Sequence, residues 1–114
     1  MRLRDKTALK KIVSEINIAL EIVGDTSLEN FLSNELIKRA VGMTAINIGE
    51  LVKNLTDEFR RANPQVPWKD ITGFRNIAAH KYETLNMSQV YQTVKESFPE
   101  LKSQIEQILA ADES

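Results

Sequence analysis

Apolar residues recur at every third or fourth position along most of this 114-residue chain, and that spacing predicts helices rather than strands. The apolar residues of the first stripe are Leu9, Ile12, Val13, Ile16, Ala19, Leu20 and Val23. They predict a helix from about Asp5 to Val23, which Gly24 ends because glycine is free to take a left-handed conformation. Thr26 or Ser27 then caps the next turn.

A second stripe predicts one long helix from about Asn34 to Ala62. Its apolar-face residues are Ile37, Ala40, Val41, Thr44, Ile48, Leu51, Val52, Leu55 and Phe59. Gly42 and Gly49 lie seven positions apart on one side of this helix, where they weaken it but permit close contact with another helix. The segment 63–67 contains two prolines, which do not fit a helix interior, so the long helix is predicted to end there.

The rest of the chain predicts three more helices. The first runs from Pro67 or Trp68 to about Lys81, with Trp68 as a core anchor. Its residues predicted to face the core are Ile71, Phe74, Ile77 and Ala78. A further helix carries the apolar residues Met87, Val90, Tyr91 and Val94, and Pro99 restarts the chain into a last helix. No segment has a strand pattern, so we predict an all-α fold: an antiparallel bundle of five to six helices, in a single domain over residues 1–114.

The helix around residues 74–82 holds the only histidine of the chain. Asn76 and His80 are four apart and stack on the side opposite the predicted core face. Arg75 lies about 140° from His80 around an ideal helix, so the two cooperate within one chain only if the long arginine side chain reaches round. Small residues lie between these polar ones, namely Thr72, Gly73 and Ala79. Such a face lets another chain or a phosphate backbone approach closely, although spacing alone equally fits a capping histidine and an arginine in a salt bridge.

Composition narrows the possible chemistry. Cysteine is absent and histidine occurs once, so we expect neither disulfides nor a zinc site, and no metal or other cofactor. No signal-peptide pattern and no apolar run long enough to span a bilayer is visible, so we expect a cytoplasmic protein without a membrane partner.

Charge is distributed unevenly, although the net charge is only −1. Between residues 60 and 82 the basic residues are Arg60, Arg61, Lys69, Arg75 and Lys81, and Asp70 is the sole acidic one. From Glu83 onward the chain is acidic, with six carboxylates against Lys95 and Lys102. The basic charge is therefore concentrated around the histidine, which indicates either an anion-binding surface or a solvated helix face.

The pattern Arg75-x4-His80-x-Tyr82 resembles the R-x4-H-x-Y signature of the HepT-like HEPN proteins, which are bacterial and archaeal toxins. These toxins are encoded beside a minimal nucleotidyltransferase (MNT) antitoxin. The resemblance covers nearly the whole chain. Residues 68–76 resemble the family's segment before the motif, residues 45–50 its central helix, and residues 98–101 its final turn.

The resemblance implies the HEPN fold and a metal-independent endoribonuclease that acts on RNA but not on DNA. It also implies a homodimer in which two motif helices face each other across a cleft. In such a site His80 would donate or accept a proton and Arg75 would stabilise the phosphorane-like transition state. Asn76 would orient His80 or bind a phosphate oxygen, and Glu50 of the central helix would orient Arg75.

Tyr82 resembles the tyrosine that the nucleotidyltransferase partner of this family modifies with AMP. At a helix end, just past the histidine, it is expected to be accessible to a second enzyme. Two other readings of the sequence stay open. One is a non-catalytic HEPN module that binds nucleotide or the nucleotidyltransferase partner, and the other is a helical dimer without a ligand.

Overall fold

The structure, a computed structural model, describes residues 1–113. All regular secondary structure in these residues is helical. Its α-helices are α1 (Leu3–Val23), α2 (Leu28–Ser33), α3 (Glu35–Lys53), α4 (Asp57–Ala62), α5 (Trp68–His80), α6 (Met87–Gln92) and α7 (Phe98–Asp112). A 3₁₀ turn covers Tyr82–Thr84, and a π-helical turn, Thr93–Ser97, joins α6 to α7. Because α6, the π turn and α7 follow without a break, the described chain forms six helical rods. The predicted all-α bundle is confirmed.

The core lies between α1, α3 and the last rod. Its largest fully buried side chains include Leu9, Ile12, Ile16, Phe31, Ile48, Leu55 and Ile105. The start of α1, its stop at Gly24 (φ 45°) and the Ser27 cap agree with the sequence prediction to within two residues. Within residues 1–113 no helix combines the length and apolar composition needed to cross a membrane.

The predicted long helix from Asn34 to Ala62 is wrong, because the structure has two helices there, and a short turn separates α3 from α4. The buried carboxylate of Asp5 in α1 accepts hydrogen bonds from the Thr56 amide (2.7 Å) and the Thr56 hydroxyl (2.8 Å). The same hydroxyl accepts a bond from the Phe59 amide and so caps α4. Thr56 thus begins a new helix, and its partner lies too far away in sequence for helical periodicity to reveal it.

The last helix starts at Pro99 to within one residue, as predicted, but it follows the π turn directly, without a loop. A proline has no amide hydrogen and its ring crowds the preceding helical turn. The wider π turn accommodates both, so the rod continues.

α5 lies against α3 on the outside of the bundle. Only Trp68 and Ala78 of its 13 residues are buried. Trp68 is the anchor that the sequence predicted: its ring packs on Phe59 at a centroid distance of 6.0 Å, and its Nε1 donates to the Asn63 carbonyl at 3.0 Å. The helix is therefore fixed at its start, while most of its surface is available to other molecules.

Candidate functional site

Two glycines of α3 receive the two ends of the motif. A Cβ atom at Gly49 would lie 2.1 Å from the Arg75 Cβ and 2.4 Å from its Cγ, so no other residue fits there without moving α5. A Cβ at Gly42 would lie 3.2 Å from the Tyr82 Cε2. The close helix contact predicted from the Gly42–Gly49 spacing is confirmed, and it is these glycines that place Arg75 and Tyr82 against α3.

Arg75 is held on the surface of α3 by polar partners. Its Nη2 pairs with the Glu50 carboxylate, and its Nη1 donates to the Asn76 Oδ1 at 3.0 Å. The side chain is 19% exposed, and its buried Nε has no hydrogen-bond partner among the described residues. The ion pair expected between Glu50 and Arg75 is therefore present, whereas Arg75 does not reach round the helix toward His80.

His80 is the last residue of α5, and its side chain is exposed. Asn76 is exposed one turn before it and accepts a hydrogen bond from Arg75. No hydrogen bond joins Asn76 to His80 in the described part of the chain. Asn76 is thus placed with Arg75, and the imidazole is free to meet a ligand.

Tyr82 lies outside α5, in the 3₁₀ turn, because Lys81 (φ −136°, ψ 37°) ends the helix. Its ring is half-buried against Gly42, and the Arg39 Cζ lies 5.1 Å from the ring centroid. The Tyr82 hydroxyl is buried and has no hydrogen-bond partner within residues 1–113. The expected accessible tyrosine is therefore wrong for this conformation, because α3 and Arg39 cover the phenol that the sequence pattern places at a helix end.

Arg39 is a residue of this site that the sequence analysis missed. Its Nε pairs with the Glu35 carboxylate at 3.0 Å, which fixes the guanidinium above the tyrosine. A hydrogen bond from Lys38, together with Arg39, lowers the pKa of Glu35. The available signal was positional: Arg39 precedes Gly42 by three residues and so lies beside it on α3.

The outward face of α5 has an open position at Gly73. No atom lies within 4 Å of a Cβ built there, so nothing inside the protomer requires glycine. Ile77 was predicted to face the core, but it is 49% exposed, because no helix within residues 1–113 covers that side of α5. Gly73 and Ile77 together form a surface on which the only large side chain is the apolar one of Ile77. This surface lies beside Asn76 and His80.

Among residues 1–113, no three His, Cys, Asp or Glu side chains are grouped so that they could hold a metal ion. The polar groups gathered around the motif are instead a guanidinium, a carboxamide, a carboxylate and an imidazole. These groups suit the binding of a phosphate and the transfer of a proton.

Comparison with known proteins gives three informative relatives. A protein of Caldanaerobacter subterraneus subsp. tengcongensis, provisionally named an RNase, is 37% identical over 101 residues, which are 89% of this chain and 90% of the relative. A Methanocaldococcus jannaschii protein with the same kind of name is 35% identical over 101 residues, which are 89% of this chain and 93% of the relative. A Thermococcus cleftensis protein provisionally named ribonuclease HepT is 30% identical over 108 residues, covering 95% and 98% of the two chains.

No solved structure matches the chain significantly. The family model described as ribonuclease HepT-like matches residues 12–108. That range includes Glu50, Arg75, Asn76, His80 and Tyr82, and the structure has the helical bundle that the resemblance implies. The chain therefore belongs to the ribonuclease HepT-like family, with the all-α HEPN fold.

Proposed function

We propose that this protein is a metal-independent endoribonuclease that cuts RNA with Arg75 and His80 in the cleft of a homodimer. The observation that carries the proposal is the arrangement of the motif on α5 in a member of this family. Arg75 is oriented by Glu50 and Asn76. His80 is exposed five residues further along the same helix.

The chemistry follows from these residue types. The RNA 2′-hydroxyl attacks the adjacent phosphorus, the bond from phosphorus to the 5′-oxygen breaks, and a 2′,3′-cyclic phosphate forms. An imidazole can accept the 2′-hydroxyl proton or supply a proton to the leaving oxygen near neutral pH. A guanidinium carries the permanent charge that stabilises the phosphorane-like transition state. DNA lacks the nucleophile and is not a substrate in this mechanism.

The test is cleavage of one sequence offered as RNA and as DNA, in EDTA, by the purified protein. We expect fragments from the RNA alone. Loss of all cleavage in EDTA would contradict the proposed mechanism. Binding of RNA without any cleavage would favour the non-catalytic module.

A dimer completes the site in this proposal. Within one protomer Arg75 is drawn toward α3 while His80 projects from the end of α5, so the two do not face a common phosphate. Two-fold pairing of α5 helices would place the arginine of one protomer near the histidine of the other. The open position at Gly73 and the exposed Ile77 support pairing through this face.

Gly73→Trp is expected to prevent the dimer without unfolding the protomer. A Cβ atom at this position has no atom of its own chain within 4 Å, and the indole would occupy the face through which we expect the second copy to approach. Light scattering should show a monomer. RNA cleavage should fall at least tenfold, because Arg75 of one protomer then no longer lies near His80 of the other. Thr7→Trp, on exposed α1 surface, is the matched control and should stay dimeric. A fully active dimer of Gly73→Trp would refute pairing through this face.

We also propose that an MNT-type nucleotidyltransferase silences the enzyme as the antitoxin of a toxin–antitoxin pair. In this reaction the Tyr82 phenol oxygen would attack the α-phosphorus of ATP. An oxygen–phosphorus bond to tyrosine forms, pyrophosphate leaves, and the phenol proton passes to a base. The added phosphate and nucleoside would oppose RNA by charge and by bulk beside the motif. Since the hydroxyl is buried while the ring lies between Gly42 and Arg39, the ring must first leave this place.

Tyr82→Phe is expected to keep the ribonuclease and escape the silencing, so cells that express both proteins should still be poisoned. The wild type, incubated with the partner enzyme, ATP and Mg²⁺, should gain the mass of one or more AMP units. Arg39→Ala should speed this gain several-fold, because the removed guanidinium contributes about 0.5–1 kcal/mol to keeping the ring in place.

Tyr91 is the internal reference for that experiment, since its hydroxyl donates to the Thr26 carbonyl at 2.8 Å and lies away from α5. It should gain no AMP in any variant. If Tyr82→Phe is still modified and still silenced, the switch lies at another residue.

A further inference from the structure

The two flanks of α5 carry opposite charge. On one flank, a groove of about 390 Å³ lies between α4 and α5. It is lined by Asp57, Arg60, Arg61, Trp68, Lys69 and Thr72. Three cations against one carboxylate make this groove electropositive. Arg60 forms an ion pair with Asp57. Arg61 and Lys69 are exposed and form no ion pair among the described residues.

On the other flank, a cleft of about 470 Å³ lies between α5 and the rod that contains the π turn. Its floor is apolar, with Ile48, Phe74 and Leu101, and its charged lining residues are Asp70 and Glu100. Among the described residues, no lysine or arginine lines this cleft. A polyanion that extends from His80 is therefore repelled by the acidic cleft and attracted by the basic groove.

The basic groove is aligned with the motif. Lys69, Asn76 and His80 lie within about 40° of one another around the axis of α5 and form one exposed stripe. Lys69 is eleven residues before His80, which is about 16 Å along the helix, a span of a few nucleotides. Thr72 lines the same groove as Lys69, so the groove lies next to this stripe on the side of α5 that faces α4.

We propose that the groove between α4 and α5 is a second phosphate-binding site for the RNA strand, a few nucleotides away from the bond that is cut. Arg61 and Lys69 bind the backbone phosphates there, and they contact no reacting atom. This proposal rests on the proposed ribonuclease function, which it extends by giving the strand a direction along α5. The groove makes the enzyme prefer substrates long enough to reach from His80 to Lys69.

The test variant is Arg61→Gln/Lys69→Gln. With an RNA long enough to span the stripe, KM should rise roughly tenfold while kcat stays the same, since exposed cations contribute binding energy but no chemistry. The dependence of log KM on log salt should become shallower by about 1.4, the value for two contacts to a single strand. A dinucleotide substrate, which occupies only the site of cleavage, should be cut equally well by both proteins.

The matched control is Lys10→Gln/Lys102→Gln, which removes the same charge from α1 and α7 and should leave KM and the salt slope unchanged. Far-ultraviolet circular dichroism and thermal melts show whether each variant is folded. Unchanged KM and salt slope in the test variant, or a fall in kcat instead, would overturn the proposal.

Binding of a 2′-O-methyl RNA, measured by fluorescence anisotropy, separates this proposal from the ribonuclease proposal, because that RNA lacks the nucleophile. The test variant should bind it roughly tenfold more weakly than the wild type and the control do. Equal affinity would refute the groove as an RNA site even if the wild type cuts RNA. Failure of the wild type to cut any RNA would refute the nuclease and leave this binding comparison to decide the groove.

Discussion

His80→Ala is expected to slow RNA cleavage by about two to four orders of magnitude, the usual effect of removing a general acid–base. His80 is the only histidine of the chain, so no neighbouring imidazole can replace it. Its side chain is exposed at the end of α5 and has no hydrogen bond to the described residues, so the free energy of unfolding should change by less than about 0.5 kcal/mol. Single-turnover cleavage rates and thermal melts measure both effects.

The control for His80→Ala is a substitution at an equally exposed residue of the same helix, Ala79→Ser. This variant should cleave RNA at a rate within a factor of a few of the wild-type rate, and its melting temperature should stay nearly unchanged. A nuclease activity that survives His80→Ala but disappears in EDTA would show that a metal ion, and not this imidazole, does the chemistry.

Gly49→Ala should be the most damaging substitution of a residue that touches no substrate. The added methyl carbon would overlap the Arg75 stem, 2.1 Å from its Cβ, so α5 must move away from α3. Displacing a catalytic group by about 1 Å can cost roughly 100-fold in rate. Overpacking of this kind also costs about 1–3 kcal/mol of stability. We therefore expect a large fall in kcat with a lowered melting temperature.

A double-mutant cycle separates the overlap at Arg75 from a general loss of packing. In the Arg75→Gly background the Cβ and Cγ atoms are gone, and the nearest remaining atom, the Arg75 Cα, is at 3.5 Å. Gly49→Ala should then cost almost no stability. Gly73→Ala is a matched control on α5, where the new methyl group meets no atom of its own protomer and should raise the stability of the protomer by about 1 kcal/mol. Undiminished activity of Gly49→Ala would contradict the positioning role of this glycine.

The parts of the fold that could be predicted were those set by local periodicity. The bounds of α1 and α5, the Trp68 anchor and the close contact at Gly42 and Gly49 all depend on spacing within one helix. The break before α4 could not be predicted in this way. It is stabilised by the Asp5 carboxylate, which lies 51 residues before Thr56 in the sequence.

In the site, the sequence identified the residue types but not how they are arranged. Helical angles place Ile77 near the core arc, yet no other helix of the described residues covers that side of α5. The end of the helix near Lys81 was predicted, but the turn that brings the Tyr82 ring back onto α3 was not. The partners of Arg75 and Tyr82 come from α3, and a helical wheel drawn for α5 alone does not include them.

The proposed cleavage depends most directly on the RNA 2′-hydroxyl as the nucleophile. Its decisive measurement uses an RNA oligonucleotide with one 2′-deoxy sugar at a mapped cleavage position, incubated with the dimeric wild type in EDTA. We predict that this one bond stays intact while the other sites are still cut, and that their fragments end in a 2′,3′-cyclic phosphate or its hydrolysis product. Continued cleavage at the deoxy position, with a free 3′-hydroxyl end, would contradict the mechanism assigned to Arg75 and His80.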